Sequence, residues 1–396
     1  MMGVSDMRIL VIPELDWVSA LPNRVHKIFS RLTKDNEIHV IYFEHKKSMI
    51  DKSCRLHNNL YLHKPPSIFI QNKILFYILN APSFYFYISK IIRKYRIQIA
   101  VSTNFLFSPL IAQLTKNKIP FVFDLVDYQP FHIHYIRFLP KSIRNIGKFF
   151  LQYVLDYDIT HSDYNITTGL PLYLYARSKG LKNVSIIPNG VNLRLFNSHY
   201  DKTIIKKNHQ LSSPIISYIG VLEYWVDFNY LFQSIKLLKQ DFPSIKLLLI
   251  GPSRHYGINR IIKLAKKYNI SNNILIIGTI PYKELPLYIC SSDLCILPFV
   301  KNYLTHCVIP MKLFEYLACQ CPVISVSLVG VKSVFKNLIY YADTPQEFKH
   351  VFKKIYYDNK ELKTKLSRSK VVIQKYDWDL LAKNFLKALN NVISKF

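Results

Sequence analysis

Short apolar runs in this chain alternate with stretches of helical spacing, and the alternation starts afresh a little past the middle. In the first series 7–12 (MRILVI) is an unbroken apolar run. Residues 23–34 then place Val25, Ile28, Phe29 and Leu32 on one side of a helix, and 37–43 (EIHVIYF) alternates as a strand does. Further strands are expected at 97–102, 120–125 and 164–168. In the second series strands are expected at 215–219, 246–250, 274–277, 294–298 and 323–327, with helices at 228–240, 259–268, near 283–290 and near 311–319. Repeated strand–helix–strand patterns of this kind build parallel sheets covered on both faces. The predicted fold is α/β, with two Rossmann-like doubly wound domains facing across a cleft, because open α/β sheets bind ligands at the carboxyl ends of their strands.

The boundaries follow from turn chemistry and polarity. Asn189-Gly190 is a turn signal after the run 184–188, and 197–213 carries few apolar residues. The expected organisation is a first domain over 1–196, a linker over 197–213, a second domain over 214–375 and an amphipathic helix over 376–396.

Composition narrows the class. A length of 396 residues exceeds what one hydrophobic core usually serves. The formal charge of +28 favours phosphate-bearing partners: nucleic acid, anionic lipid or anionic substrates. The cysteines Cys54, Cys290, Cys295, Cys307, Cys319 and Cys321 have no paired spacing and read as reduced thiols. A zinc site from Cys319, Cys321 and His306 is disfavoured by the single residue between the two thiols. No basic segment followed by a long apolar stretch opens the chain, so no secretory leader is expected and a cytoplasmic location is. The longest apolar tract, 68–92, is interrupted by Lys73, Asn80, Pro82 and Lys90, too often for a spanning helix.

The segment THCVIPMKLFEYLACQCPVISVS (305–327) concentrates the chemistry. Pro310 suits the first turn of a helix, where its missing N–H leaves nothing unpaired. The N–H groups of that turn and the helix dipole make an anion site. Lys312 adds a point charge, and Glu315, three residues on along the same face, offers a carboxylate to two ribose hydroxyls. One helix would then hold diphosphate and ribose together. The same pair also reads as a solvated Lys–Glu couple on a surface helix.

PMKLFEYLACQCPVI resembles the nucleotide-binding helix of family 4 glycosyltransferases, of the GT-B fold, whose typical form is P-x-K-x-x-E-Y-L-A-x-G-x-P-V. IIPNGVNLRLF (186–196), ISYIGVLEYWVDFNYL (216–231), LLLIGPS (247–253), IIGTIPYKELPLYICSSDLCILPF (276–299) and YDWDLLAKNFL (376–386) resemble other segments of that family in the same order. The likeness covers 160–396 and is weaker before it. It implies a nucleotide-sugar donor, with a UDP-sugar preferred and a GDP-sugar next, and neither metal nor other cofactor. Glu315 would bind the donor ribose, Lys312 the diphosphate, Gly278 to Tyr282 the base, and Gly220 would let the chain approach the phosphates. The first domain would bind the acceptor, and the C-terminal helix would cross back to it.

The sequence departs from the family in two places. The glutamate expected eight positions before Glu315 is Cys307, for which Thr305, His306 or the nearby backbone would substitute, and the glycine after the helix is Gln320. No Lys-Gly pair follows Gly220, so Arg254 and His255 become phosphate candidates. After the strand ending near Leu125, Asp127 is placed to meet donor or acceptor hydroxyls. His132 or His134 would orient the attacking hydroxyl. The resemblance implies retention of anomeric configuration.

The acceptor is expected to be a glycan or lipid-linked oligosaccharide at the inner face of the cell membrane. In 139–154 (LPKSIRNIGKFFLQYV), Lys141, Arg144 and Lys148 repeat on one side, with Ile143, Ile146 and Phe150 roughly opposite; Arg93, Lys94 and Arg96 follow another apolar tract. An anionic membrane surface would attract both, although a helix packed on the sheet with its charged face in water has the same pattern. Nucleic acid is not expected as a partner, since the basic residues gather in no reader element. A sugar-nucleotide epimerase of the same architecture remains an alternative.

Overall fold

The computed structural model describes residues 7–14, 17, 22–43, 54–57, 59–68, 70, 73–136, 139–211, 214–253 and 255–396. They divide into two units, Met1–Pro188 with Trp378–Phe396, and Asn189–Asp377.

In the first unit the elements run β1 (Met7–Ile12), α1 (Arg24–Leu32), β2 (Asn36–Ile41), β3 (Cys54–His57), β4 (Leu60–His63), α2 (Lys73–Lys94), β5 (Ile99–Ser102), α3 (Ser108–Thr115), β6 (Phe121–Leu125), α4 (Lys141–His161), β7 (Tyr164–Thr167), α5 (Leu170–Ser178) and β8 (Val184–Ile186). The sheet order is β3-β4-β2-β1-β5-β6-β7-β8, parallel except for the antiparallel edge pair β3–β4. Its central strands bury apolar residues on both faces, as a sheet covered on both sides requires: Ile9 pairs in register with Ile38 and Ile99, and all three are fully buried. Asn23 caps α1, its side chain accepting from Val25 and His26 N–H. The apolar tract 68–92 becomes the non-spanning helix α2, with Pro82 inside it. Among the described residues no helix is long and apolar enough to cross a membrane.

In the second unit the elements are α6 (Ile204–Asn208), β9 (Ile215–Ile219), α7 (Phe228–Lys239), β10 (Lys246–Ile250), α8 (Ile258–Lys267), β11 (Ile274–Gly278), α9 (Leu285–Cys290), β12 (Leu294–Leu297), α10 (Tyr303–Cys307), α11 (Met311–Ala318), β13 (Val323–Ser325), α12 (Val329–Phe335), β14 (Tyr340–Tyr341), α13 (Pro345–Tyr357) and α14 (Asn359–Val372). All strands are parallel in the order β11-β10-β9-β12-β13-β14. The polar stretch 197–213, read as a linker, falls inside this unit. It carries α6, whose Ile205 is buried in the core beside Phe196, so a few apolar anchors decide where the polar stretch lies.

The amphipathic stretch 376–396 forms the last helix, α15 (Trp378–Ile393), which belongs to the first unit, as the family resemblance implied. Its Phe385 meets Phe29 of α1 edge to face at 5.5 Å, and Asp379 pairs with Arg31 at 2.5 Å.

Candidate active site

The second sheet places its own crevice. Successive strands lie on one side of β9 as far as β11, then on the other side from β12, so β9 and β12 flank the point where strand order reverses. The loops leaving those two strands carry the site.

Gly220 follows β9, Gly251 follows β10 and Gly278 ends β11. Gly220 N–H donates to Ile250 O at 2.8 Å and Gly251 N–H to Gly278 O at 2.7 Å, so the three strand ends are laced together. Two of these positions admit only glycine. At Gly251 (φ +136°) an added Cβ would overlap the Gly220 carbonyl oxygen and lie 2.7 Å from its carbon. At Gly220 (φ +140°) it would overlap Lys312 Nζ and lie 2.9 Å from Cε. The space left by a missing side chain at 220 is where the Lys312 ammonium sits.

That ammonium lies over the Tyr218 ring, 4.1 Å from its centroid, and 5.6 Å from that of Phe299, on strand ends either side of the crevice. Burial pulls the Lys312 pKa down to about 7, against the opposing pull of Glu315. Glu315 is itself buried, and its Oε1 accepts from the Tyr282 hydroxyl at 2.8 Å. Tyr282 packs against Phe196 at 5.3 Å. The hydroxyl of Tyr316, next along α11, accepts from Ile219 N–H at 3.0 Å and ties the helix to the end of β9. Lys312 and Glu315 are therefore not a solvated surface pair: both point into the crevice end of the domain.

Gly220, Gly278, Tyr282, Lys312 and Glu315, each singled out from sequence, are joined by these contacts. Pro310 stands one residue earlier than expected. It is the extended residue before α11 (φ −68°, ψ 134°), and the helix starts at Met311. Thr305 and His306 are engaged elsewhere. The Thr305 hydroxyl donates to Val300 O at 2.6 Å and closes a capping box with Asn302, and Val329 N–H donates to His306 Nδ1 at 3.2 Å. Arg254 lies outside the described residues. His255 donates its backbone N–H to buried Glu223 at 2.7 Å, with its ring 3.6 Å from the same carboxylate. Sequence reasoning passed over Tyr218, Phe299 and Gly251. A Tyr two residues before a strand-end Gly was the available signal for the first.

Asp127 and His132 belong to the first unit, just past β6. Asp127 is half-buried, and burial pushes its carboxyl up to about 6, with His132 opposing and Glu14 adding to the rise. His134 is held below the usual histidine range by burial and by Lys148 and Arg144. Asp124 is bound bidentately by Arg24, Nε to Oδ2 at 2.9 Å and Nη2 to Oδ1 at 3.2 Å, so it is a fixed part of the architecture.

Residues 200–370 match the family model described as glycosyl transferases group 1. Over these residues the chain is similar to group 1 glycosyltransferases. The matched stretch covers most of the second unit, including Gly220, Gly278, Tyr282, Lys312 and Glu315. TuaH of Bacillus subtilis (strain 168), whose name assigns it to teichuronic acid biosynthesis as a glycosyltransferase, is 25% identical over 222 residues, 52% of this chain and 51% of that protein. The chain thus spans about half the length of that curated relative. Among solved structures, sucrose-phosphate synthase from Thermosynechococcus elongatus superposes with a TM-score of 0.81 at 15% identity, over 98% of this chain and 100% of the other. HepE from Anabaena, solved with UDP, gives 0.70 at 13% identity, over 97% and 100%. At such identities the likeness is one of fold, and the fold is GT-B.

Proposed function

We propose that this protein transfers a sugar from a nucleotide-diphosphate donor to a glycan or lipid-linked acceptor, with retention, at the cytoplasmic face of the membrane. The observation that carries the reading is the pairing of Lys312 and Glu315 on one short helix at the switch point, with an ammonium seated where Gly220 lacks a side chain. Burial brings that ammonium down to a pKa of about 7 although Glu315 opposes the fall, so a further anion beside it would favour its charged form. A diphosphate would supply it, aided by the N–H groups at the start of α11. Glu315 would take the ribose hydroxyls beside Tyr282, and the loop from Gly278 would take the base, for which uracil is preferred over guanine. HepE, with UDP in its structure, is of the same fold and supports that order.

In transfer, negative charge develops on the departing diphosphate, and Lys312 with the helix start meets it without a step routed through a metal. Retention needs no dedicated protein base. Asp127 would hold a hydroxyl of donor or acceptor, and His132 would orient the attacking one. The transferase and synthase names of the relatives favour transfer over epimerisation.

Thermal melting against UDP-, GDP-, dTDP- and ADP-sugars, on wild type and Glu315→Ala, tests the donor half. One nucleotide should raise the melting temperature of the wild type by mass action and leave the variant unmoved. No response to any nucleotide, or an equal response in the variant, would sink it.

A further inference from the structure

The helix α4 is amphipathic the wrong way round. Its Gly147 lies so close to the 129–135 turn that a Cβ there would overlap Ile133 Cδ1. Arg144 donates to His134 O at 2.8 Å, and Lys148 Nζ lies 5.8 Å from the Phe131 ring centroid. The side bearing 144, 147 and 148 therefore faces the protein. The opposite side carries Ile143, Ile146, Phe149, Phe150 and Tyr153, all exposed, with Ile146 at 71% and Phe149 at 75%. A helix packed on the sheet with charge outward, the alternative that its sequence allowed, is not what the chain forms.

A second helix repeats the feature. The outward side of α2 shows Leu75, Ile78, Leu79 and Phe86, the last 72% exposed, while Phe76, Phe84 and Ile88 are buried beneath. α2 packs on α3 and α3 on α4, so the three lie in one helical layer of the first unit. Solitary exposed apolar residues need no explanation, but two such stripes in one layer do.

The charges beside these stripes select the occupant. No Asp or Glu occurs between Asp51 and Asp124, or between Asp127 and Asp156, although those stretches include the exposed Lys90, Arg93, Lys94 and Lys141. An apolar stripe flanked only by cations fits an anionic lipid interface, into which apolar side chains sink while cations meet head-group phosphates. A protein partner would need no such exclusion of acids.

We infer that the α2–α4 layer of the first unit lies on an anionic bilayer surface, led by the Ile146, Phe149 and Phe150 side chains. This deepens the acceptor half of the proposed function and leaves the donor half untouched. It is tested by co-sedimentation with vesicles of phosphatidylglycerol and phosphatidylcholine, or of phosphatidylcholine alone, for wild type and the triple variant Ile146→Ser/Phe149→Ser/Phe150→Ser. The nucleotide melting shift on the same samples reports folding of the second unit, and far-UV circular dichroism that of the whole. Expected are binding to the anionic vesicles only, weakening with salt, and a fall of more than about tenfold in the variant. Absence of binding to anionic vesicles at low salt would overturn the inference whether or not the nucleotide shift is present. So would undiminished binding by a folded variant. A wild-type dimer that the variant dissolves, with no vesicle binding, would assign the face to a second copy of the chain instead.

Discussion

The two units share one construction, a sheet between helical layers, and set one buried cation each in different company. Arg24 grips Asp124 and also donates to Pro188 O at 2.8 Å, and His39 Nδ1 meets His63 Nε2 at 2.9 Å inside a stack with Tyr61 and Tyr95. In the second unit Lys312 is set against the Tyr218 and Phe299 ring faces, and Glu315 accepts from the Tyr282 hydroxyl. A bidentate pair such as Arg24–Asp124 builds a scaffold, whereas a buried ammonium over ring faces at a strand-end crevice suits an anionic ligand.

If the contrast is right, breaking a matched pair should damage only the unit that contains it. Arg24→Met leaves the Asp124 carboxylate buried without its cation, which costs about 3–5 kcal/mol. Hydrogen exchange resolved along the chain should show protection falling through residues of the first unit and holding in 214–376. Equal loss in both units would mean that they unfold as one, and the comparison would fail. The next effect belongs to the second unit. Gly220→Ala pushes the Lys312 ammonium from its seat, and nucleotide affinity, read by calorimetry, should drop about 30- to 100-fold, roughly 2–3 kcal/mol. Unchanged affinity would show that the ammonium does not touch the diphosphate.

The second unit was also the more legible in sequence, for a related reason. Three of its strands are short apolar runs closed by Gly220, Gly251 and Gly278, and Lys312 and Glu315, proposed to meet the donor, sit at a fixed offset on one helix. Both its fold and the cluster of Gly220, Gly278, Tyr282, Lys312 and Glu315 can therefore be read from local pattern. What escaped there was non-local: Tyr218 and Phe299 become partners of Lys312 only once β9 and β12 pair. In the first unit β3 and β4 were missed because CRLH and LYLH are too short and too polar to stand out. The face that α4 presents was ambiguous because its apolar and basic residues are equally periodic. Only the close approach at Gly147 decides which side is covered.

A third measurement sharpens the contrast through acid. Burial holds both His39 and His63 down at about 4, with Arg8 acting on the first, and His39 and Lys94 on the second. In the unfolded chain they titrate near 6.5, so between these values the unfolded state binds more protons and stability falls as pH falls. The slope is at most about 1.4 kcal/mol per pH unit for each histidine. Denaturant midpoints from pH 7 to 5 should decline in the wild type and less steeply in His39→Phe. Matching slopes would remove the pair as the cause.

The smallest effect is the most specific to the second unit. Lys312 in the empty site has a pKa near 7, and a bound diphosphate would return it toward the ordinary lysine value. Above pH 7 the empty protein has lost the proton that the complex keeps, so binding takes one up. Affinity should then fall with rising pH by up to about tenfold per unit between pH 7.5 and 9, and this group should add no slope below pH 7. Arginine stays charged throughout, so Lys312→Arg should hold a flat profile over the same range even if its affinity is lower. Calorimetry in buffers of different ionisation enthalpy would count the proton directly. A flat wild-type profile would mean that the ammonium is already charged before the ligand binds, and the contrast with Arg24 would fall.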